Sequence, residues 1–268
     1  MGDAHTKVEG HAHLTVEREG PVSVLRFADP STRNACTADM ASALRRLIKA
    51  EAQTARAIII AGDAKAFCSG ANLTGGELKG DVTKMDAGAA LENDYNPLMQ
   101  TIRDLEVPVV TAVRGAAAGV GASIALAGDI VVAGKSAFFL EAFARIGLVP
   151  DGGATWLLTH TVGRIRAMEM MLLAERIPAE QAHAWGLVTR LVEDDQVDAT
   201  AMELAQKLAA GPTRTLALIR RAAWDAAETG FADTLRRERE FQRQAGRSPD
   251  FLEGVTAFRE KRAARFGG

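Results

Sequence analysis

The sequence predicts an α/β core that carries a helical tail, and three observations lead there. Short apolar, β-branched runs alternate with helical stretches over the first 195 residues, as stacked βαβ units around a mainly parallel sheet require. After about residue 195 the strand signal stops and the pattern becomes almost wholly helical. Twice, a buried strand runs straight into a turn of small residues. The chain therefore divides into an α/β core over residues 1–195 and a helical region over residues 196–268.

The core strands are VSVLRF (22–27), RAIIIAG (56–62), VPVVTAV (107–113) and DIVVAG (129–134), each a run rich in Val and Ile. TADMASALRRLIKAEA (37–52) carries apolar positions at helical spacing. TGGELKGDVTKMDAGAALEND (74–94) is polar and interrupted by glycine, so it predicts a surface loop followed by a helix start. In the tail, VDATAMELAQKLAAG, PTRTLALIRRAAWDAAE, ADTLRREREFQRQ and DFLEGVTAFREKRAARF each predict a helix. No internal repeat is present.

With 268 residues, 47% of them hydrophobic, the chain can bury a large core. The balance of 32 Lys and Arg against 34 Asp and Glu leaves no global field that would favour nucleic acid or an anionic membrane. Cys36 and Cys68 lack CxxC spacing, and one pair is too sparse for a disulfide framework, so a reducing cytoplasm is expected. The start shows no basic segment followed by an apolar one, and the longest small or apolar run, GAAAGVGASIALAG (115–128), is too short to span a bilayer. No metal site is expected, because His11 and His13 stand without further ligands and His5, His160 and His183 are scattered.

Chemistry is concentrated in three places. RAIIIAGDAKAFCSGANL (56–73) and PVVTAVRGAAAGVGASIALAGDI (108–130) each end a strand in small residues, which let a ligand approach the main chain. GVG (119–121) begins like a dinucleotide-binding turn, but Ile124 stands where that fingerprint needs Gly or Ala. GASIA (121–125) has the outline of a nucleophile elbow, with Ser123 as nucleophile and Asp151 with His160 or His183 downstream, yet its serine falls inside a helix. In GLVPDGGATW (147–156), Asp151 stands between a proline and two glycines at a helix start, where a carboxylate can serve as an N-cap or as an acid/base.

AKAFCSGANL (64–73), VRGAAAGVGASIALAGDIVVA (113–133) and AFARIGLVPDGGATWLL (142–158) together resemble the crotonase, or enoyl-CoA hydratase/isomerase, superfamily. RNACTADM (33–40) and EGVTAFREKRAARF (253–266) extend the likeness from about residue 14 to the end. The resemblance implies a ClpP-like spiral of ββα units with a helical C-terminal trimerisation region. It also implies an acyl-CoA thioester as substrate, with no separate cofactor, whose carbonyl is held by two backbone N–H groups. By motif these fall on Ala71 and Val120. Two fixed donors suit chemistry that places negative charge on the thioester oxygen, since they stabilise an enolate without reorganising.

The sequence departs from the hydratases of that family, which carry glutamates at the positions matched by Ser123 and Phe143; these two become pocket candidates. If its segment is extended, Glu141 shares a face with Phe143 and is an alternative base. Asp151 sits where double-bond-shifting members, including the phenylacetate-pathway ring isomerase type, carry a single catalytic carboxylate. The expectation is an acyl-CoA isomerase, with a hydratase using an unconventional base second and a catalytically silent acyl-CoA-binding subunit third. CoA phosphates need cations, for which Lys65 is a candidate. Phe258 and Lys261 match positions that reach a neighbouring CoA site, and a homotrimer or dimer of trimers is implied by the same likeness.

Overall fold

The computed structural model describes residues 12–72 and 86–267. The chain enters through an antiparallel hairpin of Leu14–Glu19 (β1) and Val22–Phe27 (β2), with Leu14 opposite Phe27. Helix Ala38–Glu51 (α1) begins where Thr37 accepts the Met40 N–H at 3.1 Å, the bond that a threonine N-cap supplies. It buries Met40, Leu44 and Ile48, four residues apart, on one stripe.

From there the chain makes three similar passes. Ala57–Ala61 (β3) is followed by Ala66–Cys68 (β4), Val109–Val113 (β5) by Ala116–Ala118 (β6), and Ile130–Gly134 (β7) by Phe138–Leu140 (β8). In every pass the first strand joins a large sheet and the second a small one, and helices Asn96–Arg103 (α2) and Val120–Leu126 (α3) follow the first two. This is the spiral of ββα units that the resemblance implied. Ile177–Pro178 (β9) completes the four-stranded sheet, in the order β4-β6-β8-β9, and Arg190–Val192 (β10) the six-stranded one, in the order β1-β2-β3-β5-β7-β10.

Strands β3 and β5 are buried along their whole length, the condition of a parallel strand covered on both faces. Ile58 and Ile60 point into the main core with Val109 and Val113, while Ala57, Ile59 and Ala61 point to the opposite face with Val110 and Ala112. That second face is closed by helix Val197–Ala209 (α7), whose Val197, Ala201, Ala205 and Ala209 recur every four residues and bring it close to the sheet.

Between these lie Ala154–Thr161 (α4), Gly163–Leu173 (α5) and Ala179–Trp185 (α6). The chain ends in Thr213–Glu228 (α8), Phe231–Ala245 (α9) and Pro249–Glu260 (α10), so the stretch expected to be helical through residue 266 stops at Glu260. Arg220 of α8 is 6% exposed and pairs with Asp129 at 2.5 Å, while its other nitrogens donate to the carbonyls of Ile102, Arg103 and Leu105. One guanidinium thereby serves carbonyls that the end of α2 leaves without helical partners.

Candidate active site

The first predicted donor stands just beyond β4. Cys36 lies parallel to Ala71: its N–H donates to the Gly70 carbonyl at 2.8 Å and its carbonyl accepts the Asn72 N–H at 3.1 Å. In such a bridge the middle residue's own N–H faces away from its partner. The Ala71 N–H therefore points out of the bridge, and it has no bond among the described residues. Two side chains hold this arrangement from behind. Tyr95, in the π-helical turn Leu91–Tyr95, donates its hydroxyl to the same Cys36 carbonyl at 2.8 Å. Buried Asn34 donates to the Ala66 carbonyl and accepts the Asp29 N–H, both at 2.8 Å.

The second donor opens α3. Gly119, at φ 51° and ψ −129°, donates to the Leu140 carbonyl at 2.8 Å and turns the chain so that Val120 becomes the first helical residue. A first-turn N–H has no helical acceptor, and that of Val120 finds no other among the described residues. The two turns touch. A Cβ built on Gly119 would lie 3.7 Å from the Gly70 Cα, and one on Gly121 would lie 2.4 Å from the Cys68 carbonyl oxygen. Only glycine at 121 lets α3 settle on β4, which brings the CSGA and GVG segments together.

Asp151 follows in the loop before α4. A Cβ built on Gly152 would meet the Ser123 Cβ at 2.9 Å and a Val120 methyl at 3.2 Å, so the Asp151 loop is seated on the first turn of α3. The capping alternative fails here. The residue before α4 is Gly153, and the Ala154 N–H donates to the Asp151 main-chain carbonyl at 3.0 Å, not to its carboxylate. The carboxylate is left to other work. Its Oδ1 is buried with no hydrogen-bond partner among the described residues, and burial pushes its pKa up to about 6.

Glu141 stands nearby under different circumstances. The segment is not extended as expected: β8 ends at Leu140 and a 3-10 turn, Ala142–Ile146, begins at once, because Gly147 at φ 72° closes the turn. Glu141 is nevertheless fully buried, and neither carboxyl oxygen has a hydrogen-bond partner among the described residues. Burial, with the charge of Asp151 second, raises its pKa to about 8. Two carboxyls thus feel one another beside two backbone donors.

The other expected residues separate. Phe143 is buried, its ring edge 3.5 Å from where a Gly119 Cβ would stand, and so covers the second turn. Ser123 is buried inside α3 and donates its hydroxyl to the Asp151 carbonyl at 3.0 Å, so it holds that loop. His160 and His183 bond the carbonyls of Trp156 and Val188, so no Ser-His-Asp array forms. Lys65 is exposed next to β4. Phe258 is 85% exposed on α10, and Lys261 closes that helix in the left-handed conformation. Cys36 and Cys68 are both buried and form no disulfide with each other, and burial pushes the Cys68 thiol up to about 11. Residues 74–85 of the expected loop, and His5 and His11, lie outside the described residues.

Comparison with known proteins agrees with this fold. The family model for enoyl-CoA hydratase/isomerase matches residues 17–268. The 1,2-epoxyphenylacetyl-CoA isomerase of Escherichia coli is 42% identical over 253 residues, covering 93% of this chain and 96% of that protein. The 2,3-dehydroadipyl-CoA hydratase of the same organism is 30% identical over 259 residues, covering 96% and 99%. Among solved structures, an enoyl-CoA hydratase from Polaromonas superposes with a TM-score of 0.88 at 30% identity, over 94% of this chain and 99% of that one. No helix of the described residues is long and apolar enough to cross a membrane.

Proposed function

The chain belongs to the enoyl-CoA hydratase/isomerase family, whose members act on acyl-CoA substrates, and from that premise we propose that it isomerises an unsaturated acyl-CoA. The thioester itself is the only CoA species the chemistry needs. The Ala71 and Val120 N–H groups receive the thioester oxygen, Asp151 takes a proton from the carbon next to the thioester, and a proton is returned farther along the chain. Each such backbone donor is worth roughly 10²–10³ in rate.

The observation that carries this is Asp151. Its carboxylate has no structural duty, its pKa of about 6 suits a base working near neutrality, and its loop is fixed to the helix turn that bears the second donor. The positions at which hydratases of the family hold their two glutamates are Ser123 and Phe143, neither of which transfers protons. The relative named as an isomerase of 1,2-epoxyphenylacetyl-CoA supports the same reaction class and makes a ring-bearing acyl group a candidate. A second reading is hydration, favoured by the buried Glu141 beside Asp151, because activating and delivering water needs two carboxyls.

Turnover with a panel of 2- and 3-unsaturated acyl-CoAs decides. A shifted double bond is the expected product, whereas a hydroxyacyl-CoA alone would establish the hydratase. Tight binding with no turnover of any member would establish a silent binding protein.

Residues 196–268 are proposed as the oligomerisation region of a homotrimer. Phe231 at 79% exposure, Leu235 and Phe258 leave apolar surface on α9 and α10 for neighbours to cover. Light scattering is expected to give three times the 28.5 kDa chain, or six times if trimers pair; a monomer at micromolar concentration would refute it. In such an assembly Lys65, Phe258 and Lys261 are the groups proposed to meet CoA.

A further inference from the structure

Isomerisation through Asp151 alone leaves a second buried carboxyl, Glu141, without a task; the task inferred for it rests on Asp151 as the group that takes the proton next to the thioester. Glu141 is 0% exposed and neither of its oxygens has a partner among the described residues. Its backbone is fixed to the site, because the preceding residue, Leu140, accepts the Gly119 N–H that sets the turn before Val120. An ionised carboxylate at that depth without a hydrogen-bond partner among the described residues is strongly disfavoured, so Glu141 keeps its proton near neutral pH.

The surrounding charges do not change this. Arg145 donates to the Ala174 carbonyl and Arg176 lies over the Phe138 ring. On α6, His183 bonds the Val188 carbonyl and Glu180 acts on Lys135. Arg164, Arg166 and Glu169 of α5 are exposed. Among the described residues, Asp151 is the charged group whose field reaches Glu141.

We propose that Asp151 and Glu141 are an unequal catalytic pair, in which ionised Asp151 removes the proton and neutral Glu141 supplies the one that is returned. The C–H bond next to the thioester breaks, its proton goes to Asp151, and its electron pair enters the enolate held by the two backbone N–H groups. That pair then moves along the conjugated chain, the double bond shifts, and a new C–H bond forms at the far carbon with the proton of Glu141. Transfer of the Asp151 proton to Glu141 restores both groups with no net gain or loss of protons. In the resting site the two carboxyls hold one proton between them, because the charge of Asp151 disfavours ionisation of Glu141.

The test uses a 3-enoyl-CoA deuterated at C2, in ordinary water, in a single turnover with enzyme in excess. Wild type is expected to place hydrogen, not deuterium, at C4. Glu141→Gln is expected to be at least tenfold slower and to move deuterium from C2 to C4, since Asp151 must then do both steps. Glu141→Met serves in the same way should the glutamine variant fold poorly. The pair is overturned if wild type carries its deuterium to C4. It is equally overturned if the variant keeps the wild-type rate, or slows with unchanged C4 label, as a structural role alone would give. Retained turnover by Asp151→Asn would instead overturn the role of Asp151 beneath it.

Discussion

Replacing Asp151 with Asn is expected to lower isomerisation by roughly 10²–10⁴, the span that a positioned acid/base usually contributes. The exchange keeps shape and polarity but removes the proton acceptor. Binding of an acyl-CoA should hardly change, because the two backbone donors and the wall formed by Phe143 are untouched. Folding should not suffer either. The Asp151 carboxylate caps nothing, and the bonds of this loop run through its main-chain carbonyl to Ser123 and Ala154. Wild-type rate should rise as pH passes upward through about 6, where Asp151 becomes ionised, and the residual rate of the variant should lack that limb. A variant with full turnover, or with the same limb, would move the base to another residue. A loss of stability near 1 kcal/mol on Asp151→Ala, together with normal turnover of the Asn variant, would revive the capping role.

The sequence made the large sheet legible because β2, β3, β5 and β7 are five or six residues of mostly apolar, often β-branched chain, long enough to show a pattern. It hid the small sheet. Strands β4, β6 and β8 are three residues each, and Ala116–Ala118 looks like packing between a strand and a helix until its partners, Ala66 and Phe138, are known. The segments expected to carry Ala71, Val120 and Asp151 stood out by their likeness to family motifs, and close contacts at Gly119, Gly121 and Gly152 bring those segments together. Tyr95 and Asn34, which secure the first donor, were not, because their bonds span 59 and 32 residues and nothing local announces them. Glu141 was noticed on the premise of an extended segment. The premise fails at the 3-10 turn, yet the residue faces inward, because it stands where a buried strand ends and that turn has not yet left the core.

Glu141→Gln is expected to make the protein's stability much less sensitive to alkaline pH, whatever the fate of its catalysis. Burial raises the carboxyl from 4.5 to about 8, so between those values the folded chain binds a proton that the unfolded chain has released. Stability then falls as pH rises across that window and levels off above about 8. By linkage, the full difference is on the order of 5 kcal/mol. Asp151 contributes in the same sense, but its part ends near pH 6, where its own raised pKa lies. The interval from about pH 6.5 to 8.5 therefore isolates Glu141. Denaturant midpoints measured across it, at fixed protein concentration, should decline for the wild type and stay nearly level for the glutamine variant. Equal slopes would mean that Glu141 is ionised in the folded protein at neutral pH. It would then have no proton to return, and the unequal pair would lose its physical basis.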